Sequence, residues 1–157
     1  MLYVIISDSH GNKNNVKKIV EYSKNSWNID KFVYLGDGIQ DFISLIDEGI
    51  LNEDECIMVK GNCDINSNEK DELLIKDGNT KILITHGHKF SVKFGFEKIS
   101  KKAKMESAKI ILFGHTHIET IKELDNITFI NPGSCSTNIQ FALLEINNGK
   151  HYETLFN

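Results

Sequence analysis

The chain contains no arginine, and all 18 of its basic residues are lysine. Any anion it recognises must be held by lysine, backbone N–H groups or metal ions, because the planar bidentate guanidinium is missing. No apolar run approaches the roughly 20 residues a membrane-spanning helix needs. The opening MLYVIISD turns acidic too soon for a secretory leader and reads as a first core strand. Cysteine is sparse and odd in number (Cys56, Cys63, Cys135), with no structural-zinc spacing. This excludes a paired disulfide framework and suits a reducing, cytoplasmic setting. Proline occurs once, at Pro132. A formal net charge of −4 provides no positive field to gather nucleic acid or an anionic membrane surface. The length of 157 residues fits one domain over 1–157 with a sizeable core, and a homo-oligomer is compatible with it.

What is present is a series of apolar runs, each cut off at a small-residue turn. Leu2 to Ser7, Lys31 to Leu35 and Cys56 to Val59 read as strands. Between them, helices are expected from a cap at Asn14 or Asn15 to about Ser26, and over Ile39 to Glu48. That alternation predicts parallel pairing. The second half differs. Asp71 to Lys76 and Lys81 to Thr85 flank a turn-forming Asp77-Gly78-Asn79, so a hairpin is expected. Val92 to Ser107 has helical spacing, its lysines forming a solvated face. Lys109 to Phe113 is a further strand. Ile118 to Leu124, Ile127 to Ile130, Ile139 to Ile146 and His151 to Leu155 then read as antiparallel hairpins. Parallel pairing early and antiparallel pairing late predict an α/β fold with two mixed sheets face to face and helices outside.

The turns carry the chemistry. Five apolar strands end in potential ligands: Asp8 with His10, Asp37, Asn62 with Asp64, His86 with His88, and His115 with His117. A sixth ends in Asn131-Pro132-Gly133-Ser134. Any one of these is more often a helix cap, a turn residue or a surface histidine. Together they are not, since five of the six histidines lie at glycine-marked strand ends and only His151 does not. Oxygens and imidazoles converging without compensation would be costly, so metal ions are implied. The mixture of imidazole, carboxylate and one amide suits Mn²⁺, Fe²⁺, Co²⁺, Ni²⁺ or Zn²⁺ over Ca²⁺ or Mg²⁺. The seven candidates Asp8, His10, Asp37, Asn62, His86, His115 and His117 are too many for one tetrahedral ion and suit two ions sharing a carboxylate.

In order, DSHGN, GDG, GNCD, THGH, GHTH and NPGS resemble the calcineurin-like metallophosphoesterase superfamily. The likeness is to its small bacterial and archaeal phosphodiesterases, whose fold a retromer subunit shares. The resemblance implies a four-layer α/β/β/α sandwich with a dinuclear, manganese-type site at one edge of the sheets. Carried over motif by motif, Asp8, His10 and His117 would hold one ion, Asn62, His86 and His115 the other, and Asp37 would bridge. The implied reaction is hydrolysis of a small phosphoester, a diester more than a monoester, by a metal-bridging hydroxide. Asp37, Asn62, Asp64 and His86 are the candidate catalytic residues. Where the wider superfamily has GNH, this chain has GNCD, so leaving-group protonation falls to Asp64 or to the substrate. Ser9 and Asn12 are expected to brace Asp8 and His10, His88 to orient its neighbour or meet substrate, and Cys56 and Cys135 to be core thiols. A non-catalytic scaffold of the same fold is the alternative. A metallo-β-lactamase-like site would need Asp-His where Phe90-Ser91 stand, and the chain is too short for a TIM-barrel amidohydrolase. DSHGN is not the glycine fingerprint of a dinucleotide-binding turn.

Overall fold

The computed structural model describes residues 1–157. Its ten strands form two five-stranded sheets. In the first, β1 (Leu2–Ile6), β2 (Lys31–Tyr34) and β3 (Cys56–Met58) run parallel, and β9 (Phe141–Asn147) and β10 (Lys150–Phe156) extend the sheet antiparallel beyond β1. In the second, β5 (Thr80–Thr85), β6 (Ile110–Leu112) and β8 (Ile127–Asn131) run parallel. The edges are β4 (Glu72–Asp77) and β7 (Thr120–Leu124), both antiparallel to their neighbours.

The central strands are apolar without interruption because both of their faces are buried. Alternate residues point in opposite directions. Thus Tyr3 and Ile5 join the core between the sheets, with Ile82, Ile84, Ile110 and Leu112 from the opposing sheet. Val4 and Ile6 instead pack under α1 (Lys13–Ser26) and α2 (Ile39–Asp47), against Val16, Ile19 and Phe42. On the far side, Leu83 and Ile111 meet Ile99 and Ala103 of α3 (Glu97–Glu106). The layers are therefore α/β/β/α, as the sequence and its resemblance implied. No helix is long and apolar enough to cross a membrane.

Several local expectations are corrected. Asn12, not Asn14 or Asn15, caps α1 by accepting the Asn15 N–H at 3.1 Å. Asn15 is buried, and its amide donates to the Cys135 carbonyl at 2.9 Å. The third helix starts at Glu97 rather than Val92, because Gly95 (φ +152), between the two, leaves helical dihedrals. Beyond the late hairpins, β9 crosses to pair with β1, Leu2 opposite Glu145. Cys135 is buried, but Cys56 is only half-buried.

Candidate metal centre

In each sheet the parallel strands deliver their C-terminal turns to one edge, where α/β folds build sites. Asp8 and Asp37 follow β1 and β2, while His86 and the His115/His117 pair follow β5 and β6. Their donor atoms fall into three overlapping groups: Asp8–His10–His117, His10–Asp37–Cys63 and Asp37–His86–His115, with all atoms of a group within 4.8 Å of one another. His10 belongs to the first two groups and Asp37 to the last two, so the donors are continuous. Six of the seven candidate ligands are thereby brought together. Asn62, the seventh, is exposed on the adjoining turn, where its Nδ2 donates to Cys63 Sγ at 3.3 Å. That turn is tied to the cluster by the Cys63 N–H, which donates to Asp37 Oδ1 at 2.7 Å. The Cys63 thiol itself is a donor the sequence reading did not assign as a ligand; its place beside Asn62 was the available signal.

The backbone is strained where the ligands sit. Asp8, His10, Asp37, His115 and His117 all have left-handed dihedrals, with φ from +47 to +68. Each such residue costs about 1–2 kcal/mol, and Asp and His are among the side chains that tolerate the region best. Two glycines make room for the carboxylates: a Cβ at Gly61 would strike Asp37 Oδ1, and one at Gly114 would strike Asp8 Oδ2 and the Ser7 hydroxyl bonded to it.

Each buried ligand is aimed by a bond on its far side. Asp8 Oδ2 accepts the Ser7 hydroxyl and the His115 N–H (3.1 Å). Asp8 Oδ1 is left without a partner, 3.0 Å from His117 Nε2. His86 Nδ1 lies 2.7 Å from the Leu35 carbonyl, which can only accept, so the proton belongs on Nδ1 and Nε2 faces the cluster. That Nε2 is buried, makes no hydrogen bond, and lies 3.4 Å from Asp37 Oδ2. Burial opposes charge on His86, but the Asp37 and Asp8 carboxylates outweigh it and raise its pKa. Burial would likewise raise Asp37, yet His86 and the Cys63 N–H hold it well below the usual carboxylate range. Desolvation, then His86, depress His115 to about 4. An orphaned carboxylate oxygen and an orphaned imidazole nitrogen, both buried, would each cost about 1–3 kcal/mol. A divalent cation compensates both, so these residues fit the metal that the motifs imply.

The calcineurin-like phosphoesterase superfamily domain matches residues 1–149. The chain belongs to that superfamily. It is 35% identical over 134 residues to the probable metallophosphoesterase YsnB of Bacillus subtilis, covering 85% of this chain and 75% of YsnB. It is 27% identical to phosphodiesterase MJ0936 of Methanocaldococcus jannaschii, over 83% of this chain and 82% of that protein. Vps29 of Entamoeba histolytica, solved as a single-site variant, superposes with a TM-score of 0.72 at 25% identity, covering 100% of both chains. The superfamily is metal-dependent, in keeping with the donor groups above.

Other motif residues of this calcineurin-like domain take up structural duties. Asp64 does not face the donors with a free oxygen. Its Oδ2 accepts the N–H groups of Asp37 (2.7 Å) and Gly61 (2.8 Å), and its Oδ1 those of Gly38 (2.9 Å) and Ile39 (3.0 Å). It anchors the first turn of α2, and neither oxygen is free to carry a proton to a leaving group. Ser9 bonds Tyr34 and Asp41 and Asn12 bonds Ser136, so neither braces the Asp8 or His10 side chain. The residues that do hold these turns are Ser7, Ser134, whose hydroxyl donates to the Asp8 carbonyl at 2.8 Å, and Asn131, whose amide donates to the Gly114 carbonyl at 2.9 Å. His88 makes no side-chain hydrogen bond to His86 and instead lies against the His86 and His115 rings, 5.4 and 6.2 Å between centroids. His151 pairs with Thr128 at 2.9 Å, away from the site.

Proposed function

We propose that this chain is a phosphoesterase working with two divalent ions, acting on a small phosphodiester in preference to a monoester. The observation that carries the reading is the pair of buried, unpartnered atoms, Asp8 Oδ1 and His86 Nε2, each flanked by further donors. Asp8, His10 and His117 would hold one ion, His86, His115 and Asn62 the other, with Asp37 shared, and manganese suits the donor set first. When bound, such a pair supplies positive charge that grips a phosphoryl oxygen, in place of the missing arginines, and acidifies water toward neutrality. The chain's own part is orientation. Ser7 and the His115 N–H fix Asp8, Leu35 fixes the His86 tautomer, and Cys63 fixes Asp37. Similarity to phosphodiesterase MJ0936 supports the diester preference. A non-catalytic scaffold could lose ligands freely, whereas every ligand position here is filled.

Neither acid candidate of the GNCD turn is placed to protonate the leaving group. Asp64 is saturated with N–H donors, and burial followed by Asp37 raises the Cys63 pKa, so that thiol is neither a carboxyl-like acid nor a thiolate nucleophile at neutral pH. Esters with good leaving groups are therefore favoured. Replacing Cys63 with His should raise the rate on alkyl esters more than on aryl esters; equal effects would contradict this. The function itself is tested by metal analysis with a Mn²⁺-dependent assay on paired aryl mono- and diesters. Asp37→Ala should lose both metal and rate, and a metal-free, inactive wild type would revive the scaffold.

A further inference from the structure

The segments that follow two ligand candidates wall a cavity. After Asp37 comes the first turn of α2, and after Asn62 comes the loop 63–69; the space between them measures about 670 Å³. That is within the range of small-molecule sites, roughly 300–1,000 Å³. Cys63 lies on its wall, and the Cys63 sulfur is within 4.8 Å of donor atoms of both Asp37 and His10. Cys63 therefore borders both the cavity and the donor cluster.

Its chemistry is uneven. Ile39, Ile43 and Ile65 give it apolar surface, and Ile65 is 86% exposed, so packing within the chain does not account for that side chain. Gln40, Asn66 and Asn68 add neutral amides that both donate and accept. The charged residues on the wall are Asp64 and Glu69; none of the chain's 18 lysines lines it. Asp64 is already occupied by backbone N–H groups. An anionic group entering here would meet a carboxylate and no lysine, an unfavourable juxtaposition.

We infer that this cleft receives one organic portion of the phosphoester, an uncharged ring system with apolar faces and hydrogen-bonding edges such as a nucleoside, and rejects a portion carrying a second phosphate. The inference rests on the phosphoesterase reading above. The metal centre holds the one phosphoryl anion, while amides and isoleucines hold the neutral remainder.

The test compares three diesters with the Mn²⁺-loaded protein: thymidine 5′-(4-nitrophenyl) phosphate, the same ester bearing a 3′-phosphate, and methyl 4-nitrophenyl phosphate. The unphosphorylated nucleoside ester should exceed each of the others in kcat/KM by about tenfold or more. The double variant Ile65→Lys/Asn68→Lys puts cations on exposed wall positions. It should shift the ratio of phosphorylated to unphosphorylated nucleoside ester by about tenfold toward the former. Equal kcat/KM for all three esters, or a ratio untouched by the added lysines, overturns the assignment of the cleft while leaving the phosphoesterase reading intact. Hydrolysis of none of the three overturns both.

Discussion

The two ends of the donor cluster are built differently. At the inner end, the side chains of Asp37 and His86 are 3% and 0% exposed, and each is pinned from behind, by the Cys63 N–H and the Leu35 carbonyl respectively. At the outer end, Asp8 is fully buried, but His10 and His117 are 33% and 44% exposed and meet each other Nε2 to Nε2 at 3.2 Å. Two imidazole nitrogens at that distance share either a proton or a cation. The inner end is thus preorganised in the protein, whereas the outer end is completed by what binds. Preorganisation lowers the cost of binding, so of the two ions proposed above the inner should bind more tightly and the outer exchange first.

Removing Asp37, the donor proposed above to be shared by the two ions, should have the largest effect. Asp37→Asn is expected to lower kcat/KM by about 10³-fold, the several kcal/mol that a metal pair supplies, with both ions lost in elemental analysis. Next, His86→Ala against His117→Ala separates the ends. We expect a loss of about 10²-fold or more for His86→Ala and about tenfold for His117→Ala, the second recovering at high Mn²⁺ concentration and the first not. Equal losses and equal rescue would erase the distinction. A smaller effect is structural: Asp64→Ala strips the acceptor from four N–H groups. A loss of about 3 kcal/mol, or roughly 6–12 °C in Tm, should be seen by calorimetry.

The smallest effect is a pH dependence of the metal-free protein. His115 is held near 4, below its unfolded value of about 6.5, so between these limits the unfolded chain binds more protons than the folded one. Stability is therefore lost as pH falls through that window. His86 works in the opposite sense, since its raised pKa gives stabilisation that is complete below about 6.5 and adds no slope beneath it. Asp37, depressed, extends the loss below about 4. Melting in EDTA from pH 6.5 to 4.5 should show a fall in Tm of roughly 2–4 °C that His115→Gln flattens.

The cluster was legible in the sequence because it depends on short-range facts: an apolar run, a glycine and a coordinating side chain, repeated. The layers were legible for a similar reason, since strands buried on both faces leave continuous apolar runs such as Tyr3–Ile6. What depends on tertiary placement was not. Asp64 looks like a candidate acid in GNCD and is revealed as an anchor only once the N–H groups of Asp37, Gly38 and Ile39 are brought to it. Val92 and Phe96 have helical spacing because both pack on the core around Ile99, yet neither lies in the helix. The crossing of β9 to β1 is likewise a choice of partner that two equally apolar strands do not announce.

Diffraction from Mn²⁺-soaked crystals at the manganese edge shows how many ions these donors hold. Two anomalous peaks are expected, one among Asp8, His10 and His117 and a stronger one among Asp37, His86 and His115. A single peak, or two peaks away from Asp37, would contradict the two-ion reading.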